Sequence, residues 1–585
     1  MKKLYNLLIP VASIALSSCV FGGKTTSFNT DALTHASISA YNIIEMANDD
    51  DFTRKNHKMG ALDVYFADDL EGVPLLSLSE YAKLLSFSFY DGYTYDISSQ
   101  GKEASLTVVN DKEEAVYQVF VNYTYATMTY VGSLSNAANN YIDLDQASLM
   151  LRTKIESDWE WVNSYYSVDS FETMRIPTHL FGSDYFLPLS LWEISLGVQA
   201  GIHHFYSGEA IYRYDGPEQL GKTFEKEDGE SSSAVSYWEN YFEEKKAMPA
   251  GIATASGDAF NFAMTNSYGL KERKMGKQSV EQYFSKYEEG LYATDPDTHV
   301  QSVLSSLNSL DDDHTGLTSL AYWWGESADK LSSRRGQRSI ARSQTMTALQ
   351  QRRKAALNVD TNTMGAVNYS SDGPLAMISF DAFVYSLNAF DQGKIRDDLA
   401  SEDTYFYLIE TLQAIKARGN VKNVVLDLSV NGGGVVGTML SILPLLSADN
   451  QATAFMLYGK MGNAINIYVQ SDSTGNNVYD ADDVFGDDFR VSILVGDASF
   501  SCGNALPFFA KKQGLATIIG QRSGGGECAV EEATLPSGHT FLYSSSTHFG
   551  WCNGDFEGDE DGVAPDIELS YDQFYDLDAI QQKLK

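Results

Sequence analysis

The sequence is short of three things, and each shortage excludes something. It has four cysteines in 585 residues, too few for a scaffold built on disulfides. Basic charge is scarce: 42 Lys and Arg stand against 78 Asp and Glu, a net charge of −36. No basic patch is large enough to neutralise phosphates, so nucleic acid is excluded as a partner. The negative excess instead suits a protein kept soluble in a crowded external medium. At its start the chain also lacks the roughly 20 apolar residues that would span a bilayer. The run "LLIPVASIAL" has ten. What is plentiful is ordinary globular material: 43% hydrophobic and 21% charged residues, with 35 Tyr and 30 Phe. That length exceeds a single hydrophobic core, so several domains are expected, and the aromatics suit strand-rich ones.

The first residues read as an address rather than as fold. Lys2 and Lys3 precede the apolar ten, which end in "LSSC", Leu16 to Cys19. Small residues before a cysteine resemble a bacterial lipoprotein signal. The resemblance implies cleavage before Cys19, a lipid on its thiol, and a mature protein anchored outside the cytoplasm at the cell surface or in the periplasm. The signal peptide is then 1–18 and the polar tether 19–30. Three cysteines remain: Cys502, Cys528 and Cys552. Export permits a disulfide, but three cannot all pair within one chain. Their spacings, 26 and 24 residues, match no zinc-ligand pattern, so neither a metal nor any other cofactor is expected.

From 31 to 216 short β-rich runs such as "AVYQVFVNYTYATMTYV" alternate with polar turns. Two stretches are alike, "GVPLLSLSEYAKLL" and "YFLPLSLWEISLGV". In each, an extended apolar entry with Pro leads through Leu-Ser-Leu into an amphipathic helix. Two small α/β modules are expected, over 31–140 and 141–216, with a Gly/Ser/Glu-rich linker at 217–233. Helical patterns fill 234–330. The Lys/Arg-rich stretch within 331–372 reads as a polar connector, a solvated loop or an exposed helix. From 373 to 585 strands alternate with helices, which implies an α/β domain with a mostly parallel sheet.

Three separated segments carry the chemistry. In "VVLDLSVNGGGVVGTML" a buried strand runs into Asn431 and three glycines before a helix. Such a turn lets backbone N–H groups approach an anion, although it lacks the Lys-Ser/Thr ending of a P-loop and does not fit G-x-G-x-x-G. In "VSILVGDASFSCGNAL" a strand ends at Ser499 and Ser501 ahead of a second helix. A serine there is either a helix N-cap or a nucleophile presented at a helix N-terminus. In "LNSLDDDHTGL", His314 follows three acids at a helix end, where it is either a surface residue or a general base.

The order "LDDDHT", "LDLSVNGGG", "SFSCGN", "IGQRSGGG", "GVAPDIELS" resembles the tricorn and C-terminal-processing serine protease family, over roughly Phe260 to Leu569. The resemblance implies a crotonase-like α/β core preceded by the helical segment and the small N-terminal α/β modules. By position it implies Ser501 as nucleophile and the N–H groups of Cys502 and Gly433 as oxyanion hole. Processing-type members carry a Lys base in a Gly-Lys-Gly step, where this chain has Gly526. The resemblance to tricorn-like members, which place a His in the D-x-H-T motif, implies His314 as the base. The third member should be a carboxylate that holds the imidazole. In "DFEGDEDGVAPD", counting back three from Gly562 gives Asp559, whereas the Glu-Gly pair favours Glu557. A PDZ module is not expected in the roughly 60 residues between His314 and "LAMISF". The expectation is a lipid-anchored serine peptidase acting on peptides or proteins. The other readings are an inactive surface-binding lipoprotein on the same scaffold and an esterase using the same nucleophile.

Overall fold

The computed structural model describes residues 33–585 apart from 49–50, 69, 123–126, 133–152, 167–168, 172–173, 176–178, 182–183, 199–200, 215–219, 221–223, 226–230, 320–335, 361–363, 386–398, 459–460 and 554. The expected signal peptide, the tether with Cys19 and much of the expected linker 217–233 lie outside the described residues.

Strands Leu375–Ser379, Asn423–Asp427, Arg490–Val495 and Thr517–Gly520 are nearly unbroken apolar runs, a pattern that fits strands buried on both faces. They form the middle of a six-stranded sheet flanked by Ala366–Tyr369 and Ile567–Glu568, parallel except at its first pair. Alternation along each strand sends Ala376, Ile378, Val424, Leu426 and Ile493 to one face. There they meet Leu408 and Leu412 of helix Thr404–Arg418 and Leu506 and Phe509 of helix Cys502–Gln513. Leu375, Met377, Val425, Leu494 and Ile519 face the other way, onto Leu349 and the C-terminal Leu577 and Ile580. Each Val, Leu, Ile, Met or Phe side chain among them contributes about 1.5–3 kcal/mol of burial. Helix Thr404–Arg418 starts where Asp403 accepts from the N–H groups of Tyr405 and Phe406 and stops at Gly419, whose φ of 75° ends the last turn. The chain is therefore a mixed α/β protein with a mostly parallel core sheet.

The basic stretch 331–372 departs from expectation. It holds a 21-residue helix, Gln337–Leu357, with Arg342 and Arg353 buried rather than solvated. Carboxylates explain this. Arg353 donates to both oxygens of Asp381 at 2.7 and 2.8 Å and lies 3.5 Å from Asp427. Arg342 pairs with Asp313 at 2.8 Å. Sequence periodicity marks arginine as a solvent residue, because the partners that allow its burial lie on distant elements.

A second, seven-stranded sheet joins strands from distant parts of the chain. Its long strand Thr540–Asn553 pairs with Gly316–Ser319, Ala452–Tyr458, Cys528–Thr534 and Asp555–Gly558. Strand Met461–Ser471 then pairs with Thr153–Tyr166 from the N-terminal region. The two alike stretches also meet. Leu75–Ser77 and Asp184–Pro188 pair antiparallel, Leu76 opposite Leu187, and each leads into a helix. Trp192 closes the pair by donating to the Leu76 carbonyl at 2.8 Å and stacking on Tyr81. The segments 31–140 and 141–216 thus share one nine-stranded sheet. Their core is continuous with helix Ala250–Asn266 and with Phe541 and Tyr543.

Candidate active site

The two serines of the strand-to-helix turn have different surroundings. Ser499 is fully buried; its hydroxyl donates to the Leu428 carbonyl at 2.6 Å and accepts from the Gly496 N–H at 3.0 Å. That is a turn-closing role. Ser501 stands directly before helix Cys502–Gln513 and makes no capping hydrogen bond to it. Its backbone lies at φ 54°, ψ −126°, a region that costs a non-glycine residue about 1–3 kcal/mol and persists only when its surroundings impose it. Here they do. The Ser501 N–H donates to the Gly525 carbonyl at 2.9 Å, the Gly524 N–H to the Ser499 carbonyl at 2.7 Å, and the Phe500 N–H to the Asn431 carbonyl at 3.1 Å. The turn is pinned between the two glycine-rich segments.

The Asn-Gly-Gly-Gly turn comes to the same place. A Cβ on Gly433, whose φ is 110°, would lie 2.8 Å from Ser501 Cβ and 3.2 Å from the Cys502 nitrogen. The Gly433 N–H is not free for an oxyanion, however, because it donates to Asn431 Oδ1 at 2.9 Å. The Cys502 N–H belongs to the first helical residue, which the helix itself leaves without a partner. The Cys502 thiol donates to the Gly434 carbonyl at 3.2 Å. Burial pushes its pKa up to about 12, helped by the Asp559 charge, so the thiol stays protonated and inert at neutral pH.

His314 is held by its own motif. Asp312 Oδ1 accepts from the His314 N–H at 3.1 Å, and its Oδ2 accepts from the Thr315 hydroxyl at 2.6 Å and the Tyr268 hydroxyl at 3.1 Å. Strand Gly316–Ser319 then locks onto Thr540–Asn553. The imidazole lies against Phe500, the residue before Ser501, with ring centroids 4.5 Å apart. The Arg342 guanidinium also stacks on Phe500, at 4.0 Å. Burial lowers the His314 pKa to about 4; Asp312 opposes that shift and Arg342 adds to it. The ring is therefore a neutral base at pH 7. Its Nδ1 has no partner, and among the described residues no hydrogen bond joins the imidazole to the Ser501 hydroxyl.

The acidic stretch separates by environment. Glu557 sits on the edge strand Asp555–Gly558, 62% exposed at its side chain, and pairs with Lys512 at 2.6 Å. Asp559 is 4% exposed, and both its carboxyl oxygens lack a partner. Its carbonyl accepts from Asn504 of helix Cys502–Gln513 at 3.2 Å. Burial, then the charges of Glu527 and Glu560, push its carboxyl well above the ordinary range. Glu560, which the spacing argument passes over, accepts from the N–H groups of Gly526 and Glu527, both at 3.1 Å, and lies 3.6 Å from Arg338. Lys511 is turned away to the Ala564 carbonyl and Asp566. Sequence reasoning missed Arg338 and Arg342, which both donate to the Gly524 carbonyl, at 2.7 and 2.8 Å. Their i, i+4 spacing on one helix was the available signal.

Residues 386–569 match the model of Peptidase family S41. No curated protein matches the chain. Among solved structures, a putative peptidase from Parabacteroides merdae is 14% identical, with 55% of this chain and 89% of that one covered and a TM-score of 0.38. Mature CPAF complexed with lactacystin is 12% identical, covering 57% and 98%, with a TM-score of 0.38. The tricorn protease is 12% identical, covering 84% and 46%, with a TM-score of 0.32.

Proposed function

We propose, from the match of residues 386–569 to the model of Peptidase family S41, that the protein is a serine-type peptidase with Ser501 as its nucleophile, His314 as its base and Asp559 as the carboxyl that completes the triad. The Ser501 oxygen attacks the peptide carbonyl carbon while His314 takes the hydroxyl proton. The Cys502 N–H stabilises the oxyanion, joined by Gly433 if its N–H turns from Asn431. His314 then gives its proton to the departing amine, and water, deprotonated by the same imidazole, releases the acid from the acyl-enzyme.

The observation that carries this reading is the strained Ser501 backbone at a strand-to-helix turn pinned by two glycine-rich segments. Support for Asp559 over Glu557 comes from complementarity. His314 Nδ1 and the Asp559 carboxyl are both buried without partners. Pairing them would satisfy both, since a buried polar group left alone costs about 1–3 kcal/mol. Glu557 is already committed to Lys512.

The experiment is hydrolysis of an unstructured protein substrate by wild type and single variants. Ser501→Ala and His314→Ala should each lower turnover by ~10⁴-fold or more, and Asp559→Asn by a smaller factor. Glu557→Gln should retain most activity. Full activity in Ser501→Ala would overturn the assignment. The missing imidazole–hydroxyl hydrogen bond favours a second reading, an inactive surface-binding protein, in which wild type and Ser501→Ala would be equally inert.

For location, the reading is an extracytoplasmic enzyme tethered through lipid on Cys19. Among the described residues no helix is long and apolar enough to cross a membrane. Cys19→Ala should move the protein from the membrane to the soluble fraction, whereas unchanged membrane association would rule the lipid tether out.

A further inference from the structure

We propose that Glu527, Cys528 and His548 form a binding site for a thiophilic divalent metal ion of the Zn²⁺ class, beside the catalytic turn and distinct from its chemistry.

Sheet register builds the site. Cys528 opens strand Cys528–Thr534, and its register partner on Thr540–Asn553 is His548. Glu527 directly precedes that strand, and its carbonyl accepts from the Phe549 N–H at 2.8 Å, which fixes the entry. A register shift between Cys528 and Val530 places an irregularity beside the pair, the kind of feature that re-aims side chains.

The donor atoms have ligand spacing. Cys528 Sγ lies 3.5 Å from His548 Nδ1, and Glu527 Oε1 lies 3.0 Å from the same nitrogen. All three donor atoms fall within 4.8 Å of one another. A tetrahedral zinc ion with Zn–S about 2.3 Å and Zn–N or Zn–O about 2.0–2.1 Å separates sulfur from nitrogen by about 3.5 Å and nitrogen from oxygen by about 3.3 Å. Small side-chain movements therefore suffice to admit the ion.

The donor types point the same way. A thiolate with an imidazole selects zinc or copper(I) over calcium or magnesium, which take oxygen sets. Binding forms a metal–sulfur bond and releases the thiol proton to solvent, with the neutral His548 in the tautomer that carries its proton on Nε2 and leaves Nδ1 to ligate. The surroundings resemble a prepared outer shell. The second Glu527 oxygen accepts from the Glu560 N–H at 3.0 Å, so the carboxylate is oriented by backbone. Cys528 is 2% and His548 9% exposed, which shields the thiol from bulk oxidants.

The location gives such an ion a consequence. Gly526, next to Glu527, packs on Phe500, and the Gly525 carbonyl holds the Ser501 N–H. A bound metal fastens this segment to the long strand and stiffens the wall of the catalytic turn. The sequence concealed the site because two ligands are adjacent and the third lies twenty residues on, across a hairpin, unlike the paired spacings of a zinc finger.

The test is a Co²⁺ titration of chelator-stripped full-length protein, followed by absorbance. The expected result is one ion per chain with a thiolate-to-cobalt charge-transfer band and ligand-field bands of tetrahedral intensity. The band should vanish in Cys528→Ser and persist in Cys552→Ser. Glu527→Gln, which conserves shape, should weaken binding by at least ~10-fold, and because wild type is read first, misfolding of a variant does not remove the test. Absence of the charge-transfer band in wild type, or its survival in Cys528→Ser, would overturn the proposal. Unchanged affinity in Glu527→Gln would remove the carboxylate from the ligand set and overturn the three-residue site.

Discussion

At the residue scale, His314 gives the sharpest expectation. Burial lowers its pKa to about 4, and the proposed mechanism needs the neutral ring. The acid limb of kcat/KM should therefore fall near pH 4, well below the 6.5 of an unperturbed histidine. The sign for stability is the same. A folded pKa below the unfolded one adds stability that is present above pH 6.5 and is lost as pH falls toward 4. A pH–rate profile with its acid limb at 6.5 or higher would mean a solvated imidazole, a different base, or an ionised Asp559 paired with His314, which favours the charged ring. Gly433 offers a second test. A methyl there would press on Ser501 Cβ at 2.8 Å and strain a φ of 110°, so Gly433→Ala should lower kcat by ~10²-fold or more, as small misplacements of reacting groups do, with circular dichroism unchanged.

The residues that could be read from sequence were those whose type and place are both constrained. Small residues between a buried strand and a helix marked Ser501 and the glycine turn, because few other residue types fit such a turn. The choice between Ser499 and Ser501 was left to the resemblance; the structure adds that Ser499 closes its own turn with Leu428 and Gly496. The acids could not be ranked. Asp555 to Asp561 is one polar run in sequence, and only folding exposes Glu557 while burying Asp559 and Glu560.

At the scale of elements, helix Gln337–Leu357 is the lesson. Its composition reads as solvated, yet Arg353 is fully buried against Asp381 and Asp427. Removing one partner of such a group leaves uncompensated charge, so Arg353→Ala should cost about 3–5 kcal/mol in denaturant unfolding. A loss under ~1 kcal/mol would mean that water reaches the carboxylates. Arg338 and Arg342, on the same helix, grip the Gly524 carbonyl and so brace the segment that holds Ser501. The strands of the parallel sheet, by contrast, were legible at once, since strands buried on both faces are nearly uniform in apolar content.

At the scale of the whole molecule, pairings between distant segments decide the architecture. Thr153–Tyr166 pairs with Met461–Ser471, and the Tyr214 hydroxyl contacts the Thr534 hydroxyl. The N-terminal segments therefore complete a sheet and a core shared with the part of the chain that matches Peptidase family S41. Deleting residues 31–216 should leave a chain that is insoluble or unfolds without a cooperative transition. A soluble fragment with a sharp calorimetric transition would show the catalytic region to be self-sufficient. Local patterns cannot reveal such long-range pairing, and for that reason the chain reads in sequence as a row of separate modules.

The central claim is that Ser501, activated by His314, is a working nucleophile. The most direct measurement is mass spectrometry of the protein after treatment with a fluorophosphonate, with the adduct mapped to a peptide. The account predicts one adduct per chain on Ser501, lost in Ser501→Ala and strongly slowed in His314→Ala. No adduct on native protein, or an adduct that persists in Ser501→Ala, would contradict it.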